Sequence, residues 1–302
     1  MRAELPLART SVTIMLTADP LTVTLGSELR GIDLNVLDDR VADQLYELVL
    51  ERGVLVFRDQ ALKPEAHVAL AESFGPRTEL HPLYPHVEGL PIARIRTDAA
   101  HPPENEVWHS DLSCRPDPPF VSVLRAEFLP PVGGDTLWAD LRAVHDALSD
   151  ERRVELNSLF AEHALEQGFR FVDAFGQNDR ADALVEANRI DRAKTVAVHP
   201  VLKRHPATGR FVVYVNESFT THICDIDPAR SSSLLSELYS CVRNPRFQVR
   251  VRWRPGTVII WDNWATQHFA SGDYYPHHER EVQRVTIASD RRSSSFSTNS
   301  TA

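Results

Sequence analysis

The chain has 302 residues, of which 42% are hydrophobic and 25% are charged, and its formal net charge is −9. This composition is typical of a globular protein with a sizeable core, and the acidic balance argues against a nucleic-acid-binding surface. Three widely spaced cysteines exclude a disulfide framework, no apolar stretch approaches a membrane span, and residues 12–16 are too short for a signal peptide, so a cytoplasmic protein is expected.

Two helices and one strand are predicted in the first quarter of the chain. Residues 1–20 are expected to form a loose leader. Apolar residues at helical spacing predict a helix over 40–52, and the apolar run Val54–Phe57 predicts a buried strand. Lys63-Pro64-Glu65 predicts the start of a second helix that ends near Gly75, because proline is tolerated in the first turn.

Strands are predicted to dominate the remainder. Apolar runs predict strands at 121–129, 211–215, 247–253, 257–261 and 284–288, and proline and glycine clusters separate them. Helices are predicted over 140–165 and 228–243. This irregular order favours a mainly β fold with helical insertions, a β-sandwich or jelly roll, in a single domain over residues 21–291. The Ser/Thr-rich residues 292–302 are expected to be disordered.

The tetrapeptide Trp108-His109-Ser110-Asp111 and the distant His268 carry candidate metal ligands. Alternate side chains of a strand share a face, so His109 and Asp111 are expected to project together. Two histidines and one carboxylate are the ligand set of non-haem Fe(II) oxygenases, which leave one face of the metal open. Each piece alone also has an ordinary explanation, because a His-x-Asp tripeptide is often a surface turn and a lone histidine is often a core residue.

Arg280 and Arg284 are candidate anion-binding residues. They lie four residues apart, so both share a face if this segment is extended. A guanidinium group binds carboxylates and sulfonates through a planar fork of donors. The alternative is a solvated run of charges, since Arg280 lies within His277-His278-Glu279-Arg280-Glu281.

Taken together and in this order, the motifs resemble those of the Fe(II)/2-oxoglutarate dioxygenases, and the local sequences resemble the taurine dioxygenase branch. The resemblance runs from about residue 20 to 290 and is weakest around 170–195. The segments that carry it are Trp108-His109-Ser110-Asp111, Gly133-Gly134-Asp135-Thr136-Leu137-Trp138, Trp261-Asp262-Asn263-Trp264-Ala265-Thr266-Gln267-His268, Val215-Asn216-Glu217-Ser218-Phe219-Thr220-Thr221 and His81-Pro82-Leu83-Tyr84-Pro85-His86.

The resemblance implies a double-stranded β-helix in which His109, Asp111 and His268 bind Fe(II). It implies that Thr136 and Arg280 hold the distal carboxylate of 2-oxoglutarate, a co-substrate together with O2. The loop between His268 and Arg280 is one residue longer than is usual in the family. The residues implied to contact the substrate or line its pocket are His81, Tyr84, Asn105, Phe169, Phe219 and Arg284.

The reaction implied by the resemblance is hydroxylation of taurine or a related small sulfonate at the carbon bearing sulfur. Its products are sulfite and an aldehyde, with succinate and CO2. Three alternatives stay open: the same chemistry on an alkyl sulfate, a carboxylate or an amino acid; a zinc hydrolase; and a jelly-roll binding protein without activity. The expected partners are a small anionic substrate and further copies of the chain, in a dimer or tetramer, with no nucleic acid and no membrane.

Overall fold

The computed structural model describes residues 16–77, 84–103, 106–165, 167 and 195–292. Elements are numbered here in chain order. The strands are β1 (Thr17–Pro20), β2 (Ser27–Arg30), β3 (Val54–Phe57), β4 (Ala93–Thr97), β5 (Val121–Phe128), β6 (Thr136–Asp140), β7 (Phe160–Ala164), β8 (Val196–Pro200), β9 (Leu202–Arg204), β10 (Phe211–Val213), β11 (Thr220–Ile223), β12 (Gln248–Val251), β13 (Val258–Asp262), β14 (Thr266–Ala270) and β15 (Arg280–Ile287). The helices are α1 (Asp39–Arg52), α2 (Pro64–Glu72), α3 (Leu141–Asp146), α4 (Asp150–Leu156) and α5 (Pro228–Val242).

A seven-stranded sheet forms one side of the domain, in the order β1-β2-β3-β13-β5-β15-β4. Its central strand β13 is apolar on both faces, because each face is covered. Val258 and Ile260 pack on the side of α1 and α2, whereas Ile259 and Trp261 face the interior between the sheets. Burial of each such side chain contributes about 1.5–3 kcal/mol.

A three-stranded sheet, in the order β12-β6-β14, lies on the other side of that interior. Trp138 from β6 and Trp261 from β13 meet there, with ring centroids 6.0 Å apart. His268 on β14 is paired in register with Trp138. The outer face of this smaller sheet packs against α3 and α5. Two packed, mainly antiparallel sheets with helices outside them are the jelly roll that the sequence predicted.

The local predictions hold best where apolar patterns are strongest. The predicted strand Val54–Phe57 is confirmed. The predicted helices over 40–52, from Lys63 to near Gly75 and over 228–243 are also confirmed, as α1, α2 and α5 with slightly different ends. The prediction of one helix over 140–165 is wrong, because two short helices end by Leu156 and Phe160–Ala164 form a strand between β8 and β11. Residues 17–20, expected in the leader, pair with β2.

The described part of the chain contains no helix with both the length and the apolar character that a bilayer crossing requires.

Candidate metal centre and anion sites

His109, Asp111 and His268 come together although they are far apart in sequence. One ligand atom from each lies within 4.8 Å of the other two, and all three residues are buried. An isolated β-bridge joins the two histidines: the amide of His109 donates to the carbonyl of His268 at 3.1 Å, and the reverse bond is 2.8 Å long. Asp111 begins a turn instead of continuing a strand, so the turn, and not strand alternation, directs its carboxylate.

The orientation of the imidazoles suits a shared cation. Nδ1 of His109 lies 2.8 Å from the carbonyl oxygen of Val107, which can only accept, so Nδ1 carries the hydrogen and Nε2 presents its lone pair. Nε2 of His109 is 3.8 Å from Oδ1 of Asp111, and Nε2 of His268 is 4.0 Å from the same oxygen. Two imidazole nitrogens and one carboxylate oxygen therefore fit Fe(II).

The electrostatics keep all three groups in the protonation states that bind metal. Burial lowers the pKa of His109, and burial together with His109 lowers the pKa of His268 to about 3, so both rings are neutral. Burial opposes ionisation of Asp111, but Arg284, His268 and His109 together outweigh it, and the pKa of Asp111 lies below its ordinary value.

The backbone of Asp111 is held by Asn263, a residue whose role the sequence did not indicate. The amide of Asp111 donates to Oδ1 of Asn263 at 2.7 Å, and Nδ2 of Asn263 donates to the carbonyl oxygens of Asp111 and Pro119 at 3.0 and 2.9 Å. One buried amide thus uses both ends of its side chain to fix the residue that carries the carboxylate. The only signal available was its place in the matched segment before His268.

Thr136 and Arg280 lie beside one another through a shared neighbour, Trp253. The indole Nε1 of Trp253 donates to Oγ1 of Thr136 at 3.0 Å, and the guanidinium carbon of Arg280 lies 5.4 Å from the Trp253 ring. Gly134, at φ +72°, leaves room for the Arg280 side chain, since a Cβ there would lie 3.2 Å from Cδ of Arg280.

Arg280 is a buried cation that lacks a counter-ion within the described ranges. Its side chain is 6% exposed, no carboxylate there lies within ion-pair distance, and its Nε has no hydrogen-bond partner. Burial lowers its pKa, against the opposing effects of Tyr274 and Asp135. An unpaired buried guanidinium is costly, and an anion bound beside it would offset that cost.

Arg284 lies at the metal centre itself. Its Nη1 is 2.9 Å from both carboxylate oxygens of Asp111, while its buried Nε has no partner among the described residues. The ring of Tyr84 lies 5.9 Å from its guanidinium carbon, and Phe219 packs edge-on to His109 at 6.5 Å. Of the predicted substrate contacts, His81, Asn105 and Phe169 fall outside the described residues.

Comparisons with known proteins agree with this site. The family profile for "Taurine catabolism dioxygenase TauD, TfdA family" matches residues 17–286. An alpha-ketoglutarate-dependent sulfonate dioxygenase of Saccharomyces cerevisiae is 30% identical over 90% of this chain, and the match spans 66% of the yeast protein, slightly less than two thirds. An alpha-ketoglutarate-dependent sulfate ester dioxygenase of Pseudomonas putida is 31% identical over 91% of this chain and 90% of its own length.

Two solved structures share the fold. A taurine dioxygenase from Burkholderia xenovorans superposes with a TM-score of 0.76 at 32% identity, covering 91% of this chain and 90% of its own. AAD-2, in complex with Mn(II) and N-oxalylglycine, superposes with a TM-score of 0.73 at 26% identity, covering 91% and 97%. The chain therefore belongs to the taurine catabolism dioxygenase TauD, TfdA family of Fe(II)- and 2-oxoglutarate-dependent dioxygenases.

Proposed function

We propose that this protein hydroxylates taurine or a related small sulfonate at the carbon bearing sulfur, which releases sulfite and an aldehyde while 2-oxoglutarate becomes succinate and CO2. The observation that carries the proposal is the position of Arg284. A buried guanidinium touches the candidate metal ligand Asp111 and still has Nε without a partner in the described part of the chain. An anion that paired with that nitrogen would lie beside the candidate metal site.

His109, Asp111 and His268 are the residues that would hold Fe(II). Bound there, the iron with 2-oxoglutarate and O2 supplies the oxidising chemistry, and the protein supplies binding and orientation. Arg280 would pair with the distal carboxylate of 2-oxoglutarate, and Thr136, which also contacts Trp253, would contact the same group. The absence of a counter-ion for Arg280 among the described residues supports this assignment.

Arg284 would fix the substrate by its sulfonate. A sulfonate is ionised at every physiological pH, so in a buried site it needs a fixed cation with directed donors. Phe219, packed against His109, and Tyr84, near Arg284, would form walls of the pocket, and the predicted contacts His81, Asn105 and Phe169 would complete it. Held at its anionic end, the substrate would present the adjacent C–H bonds toward the metal centre.

A substrate panel tests this proposal. Purified protein with Fe(II) and 2-oxoglutarate is given taurine, longer alkyl sulfonates, alkyl sulfates, small carboxylates and amino acids, and succinate, sulfite and sulfate are measured separately. We expect succinate and sulfite in equal amounts with taurine or a short sulfonate. Succinate formed only with substrates that lack a sulfonate would overturn the proposed substrate class while leaving the dioxygenase chemistry intact.

A sulfate ester is the second candidate substrate, and the match to the Pseudomonas putida enzyme favours it. Arg284 offers the same donors to a sulfate ester as to a sulfonate. The products differ, because hydroxylation next to a sulfate ester oxygen releases sulfate, whereas hydroxylation next to a sulfonate releases sulfite. The panel therefore separates the two by the oxyanion it detects.

We also propose a cytoplasmic location and assembly into a homodimer or homotetramer. Cys114, Cys224 and Cys241 are unlinked, which agrees with a reducing compartment. Fractionation of the source cells and light scattering of the purified protein test these two proposals.

A further inference from the structure

A polar cluster outside the metal centre packs against the turn that follows Asp111. His199, on β8, places Nε2 3.0 Å from the carbonyl oxygen of Ser113 and 3.0 Å from that of Arg115. Lys203, on β9, places its Nζ 3.3 Å from Nδ1 of His199. A lysine thus contacts a histidine, and that histidine contacts the chain two and four residues beyond the candidate metal ligand.

The donors and acceptors around His199 permit one arrangement of its hydrogen. Carbonyl oxygens only accept, so Nε2 carries the hydrogen and donates to both of them. An ammonium only donates, so Nδ1 must be the acceptor, and the ring is neutral. Burial and the charge of Lys203 lower the pKa of His199 to about 4, which agrees with this geometry.

The ammonium of Lys203 is itself held in place. It lies 4.2 Å from the centroid of the Tyr214 ring, a cation–π contact, and Asp117 is the acidic group that acts on it. Burial lowers its pKa to about 8, so the group is mostly charged at neutral pH. The charge of Lys203 therefore orients His199 and keeps it neutral.

The same turn is also held through its side chain. Oγ of Ser113 accepts from Nδ2 of Asn216 at 2.8 Å and lies 3.0 Å from Nδ1 of His163. Within this turn Leu112 has a left-handed backbone, at φ 50°. A bulky residue at positive φ is strained, and such a conformation persists only where surrounding contacts enforce it.

We infer that Lys203 and His199 are positioning residues for the metal centre: they clamp the turn of residues 111–115 so that the Asp111 carboxylate stays directed at the two histidines. Asn263 fixes the start of this turn and His199 fixes its end. Without the second clamp the turn can relax its strained residue, and the carboxylate, still attracted to Arg284, leaves the position that a metal requires. The inference rests on the metal-binding part of the proposed function and not on the identity of the substrate.

Binding of Co(II), without substrate, tests the inference. The variants form matched pairs: Lys203→Met removes the charge and keeps the length, and Lys203→Arg keeps the charge; His199→Leu removes the donor, and His199→Gln keeps one. We expect Lys203→Met and His199→Leu to raise the Kd for Co(II) about tenfold, as removal of outer contacts of a metal site does, with a changed visible Co(II) spectrum. Lys203→Arg should restore both, and His199→Gln should restore most of the affinity.

His67→Leu is the matched control. His67 is also fully buried and also donates through Nε2 to a carbonyl, that of Val123, but it lies on α2 outside the large sheet. The His67→Leu substitution should lower the melting temperature of the metal-free protein and leave the Kd for Co(II) unchanged.

Each outcome decides one question. A Kd for Lys203→Met and His199→Leu like that of the wild type, or failure of Lys203→Arg to restore binding, would overturn the clamp. If His199→Leu does not fold, the two Lys203 variants still decide. Absence of Co(II) binding in the wild-type protein would instead reject the metal site on which the proposed function depends.

Discussion

Nη1 of Arg284 lies 2.9 Å from each carboxylate oxygen of Asp111, so one guanidinium links the candidate anion site to the candidate metal site. Both side chains are about nine-tenths buried, which limits solvent screening of the pair. The arginine that we assign to the substrate is thus also the group that contributes most to keeping the metal-ligand carboxylate ionised. Changes at this position should therefore affect both the binding of an anionic substrate and the charge state of Asp111.

Replacement of Arg284 by alanine should raise KM for a sulfonate at least about tenfold, a loss of about 1.4 kcal/mol, because the anion loses its buried cation. The measurement is sulfite release at varied sulfonate concentration with 2-oxoglutarate saturating. Arg284→Lys keeps the charge without the fork of donors, so its KM for a sulfonate should lie between those of the wild type and Arg284→Ala. An unchanged KM in Arg284→Ala would remove this residue from the substrate site.

Replacement of Arg280 by methionine should separate the two anion sites. KM for 2-oxoglutarate should rise about tenfold or more, with a smaller effect on KM for the sulfonate. Since no carboxylate in the described ranges would lose its partner, the free energy of unfolding without 2-oxoglutarate should stay the same or rise by about 1 kcal/mol. Chemical denaturation gives the second quantity, and a large loss of stability would show that the guanidinium has a structural counter-ion.

Metal binding should stabilise the folded protein through all three ligands. At Co(II) concentrations about 100-fold above Kd, the free energy of unfolding should increase by about 2.7 kcal/mol, and a chelator should reverse the change. His109→Ala should abolish both this stabilisation and iron-dependent turnover, and His268→Ala should do the same. A thermal shift that persists in both variants would place the metal elsewhere.

Replacement of Asn263 by aspartate should weaken the site without changing its volume. The carboxylate cannot donate to the carbonyl oxygens of Asp111 and Pro119, so two buried acceptors lose their partner, at about 1–3 kcal/mol for each. We expect a lower melting temperature and a higher Kd for Co(II), measured on the same preparation. Wild-type values for both would show that other contacts fix Asp111.

Buried His67 should make the folded protein less stable as the pH is lowered through a defined window. Burial lowers its pKa in the folded protein to about 4, below the ordinary value of 6.5. Between those two values the unfolded chain binds a proton at His67 that the folded protein excludes, so the contribution of His67 to stability is full above about pH 6.5 and falls by about 1.4 kcal/mol per pH unit toward pH 4. His67→Gln keeps a donor for Val123 but does not titrate, so its denaturation midpoints at pH 7, 6 and 5 should show a shallower slope.

The sequence predicted those parts of the site that depend on local pattern. The strand β15 places Arg280 and Arg284 on one face because strand side chains alternate, and this follows from their spacing alone. The role of Asn263 and the contact between Arg284 and Asp111 could not be predicted, because each joins segments more than 150 residues apart and depends on how the sheets pack. The strand at Phe160–Ala164 was missed because its neighbours β8 and β11 lie far along the chain and its own pattern is short.

The bridge between His109 and His268 has a consequence for biosynthesis. The two histidines lie far apart in the sequence, so their two backbone bonds form only after β14 has been synthesised. A chain that stops before residue 268 contains the first two ligands without the third. Emerging or truncated chains that lack β14 should therefore not retain iron in this pocket, and ion binding should report that β14 is in place.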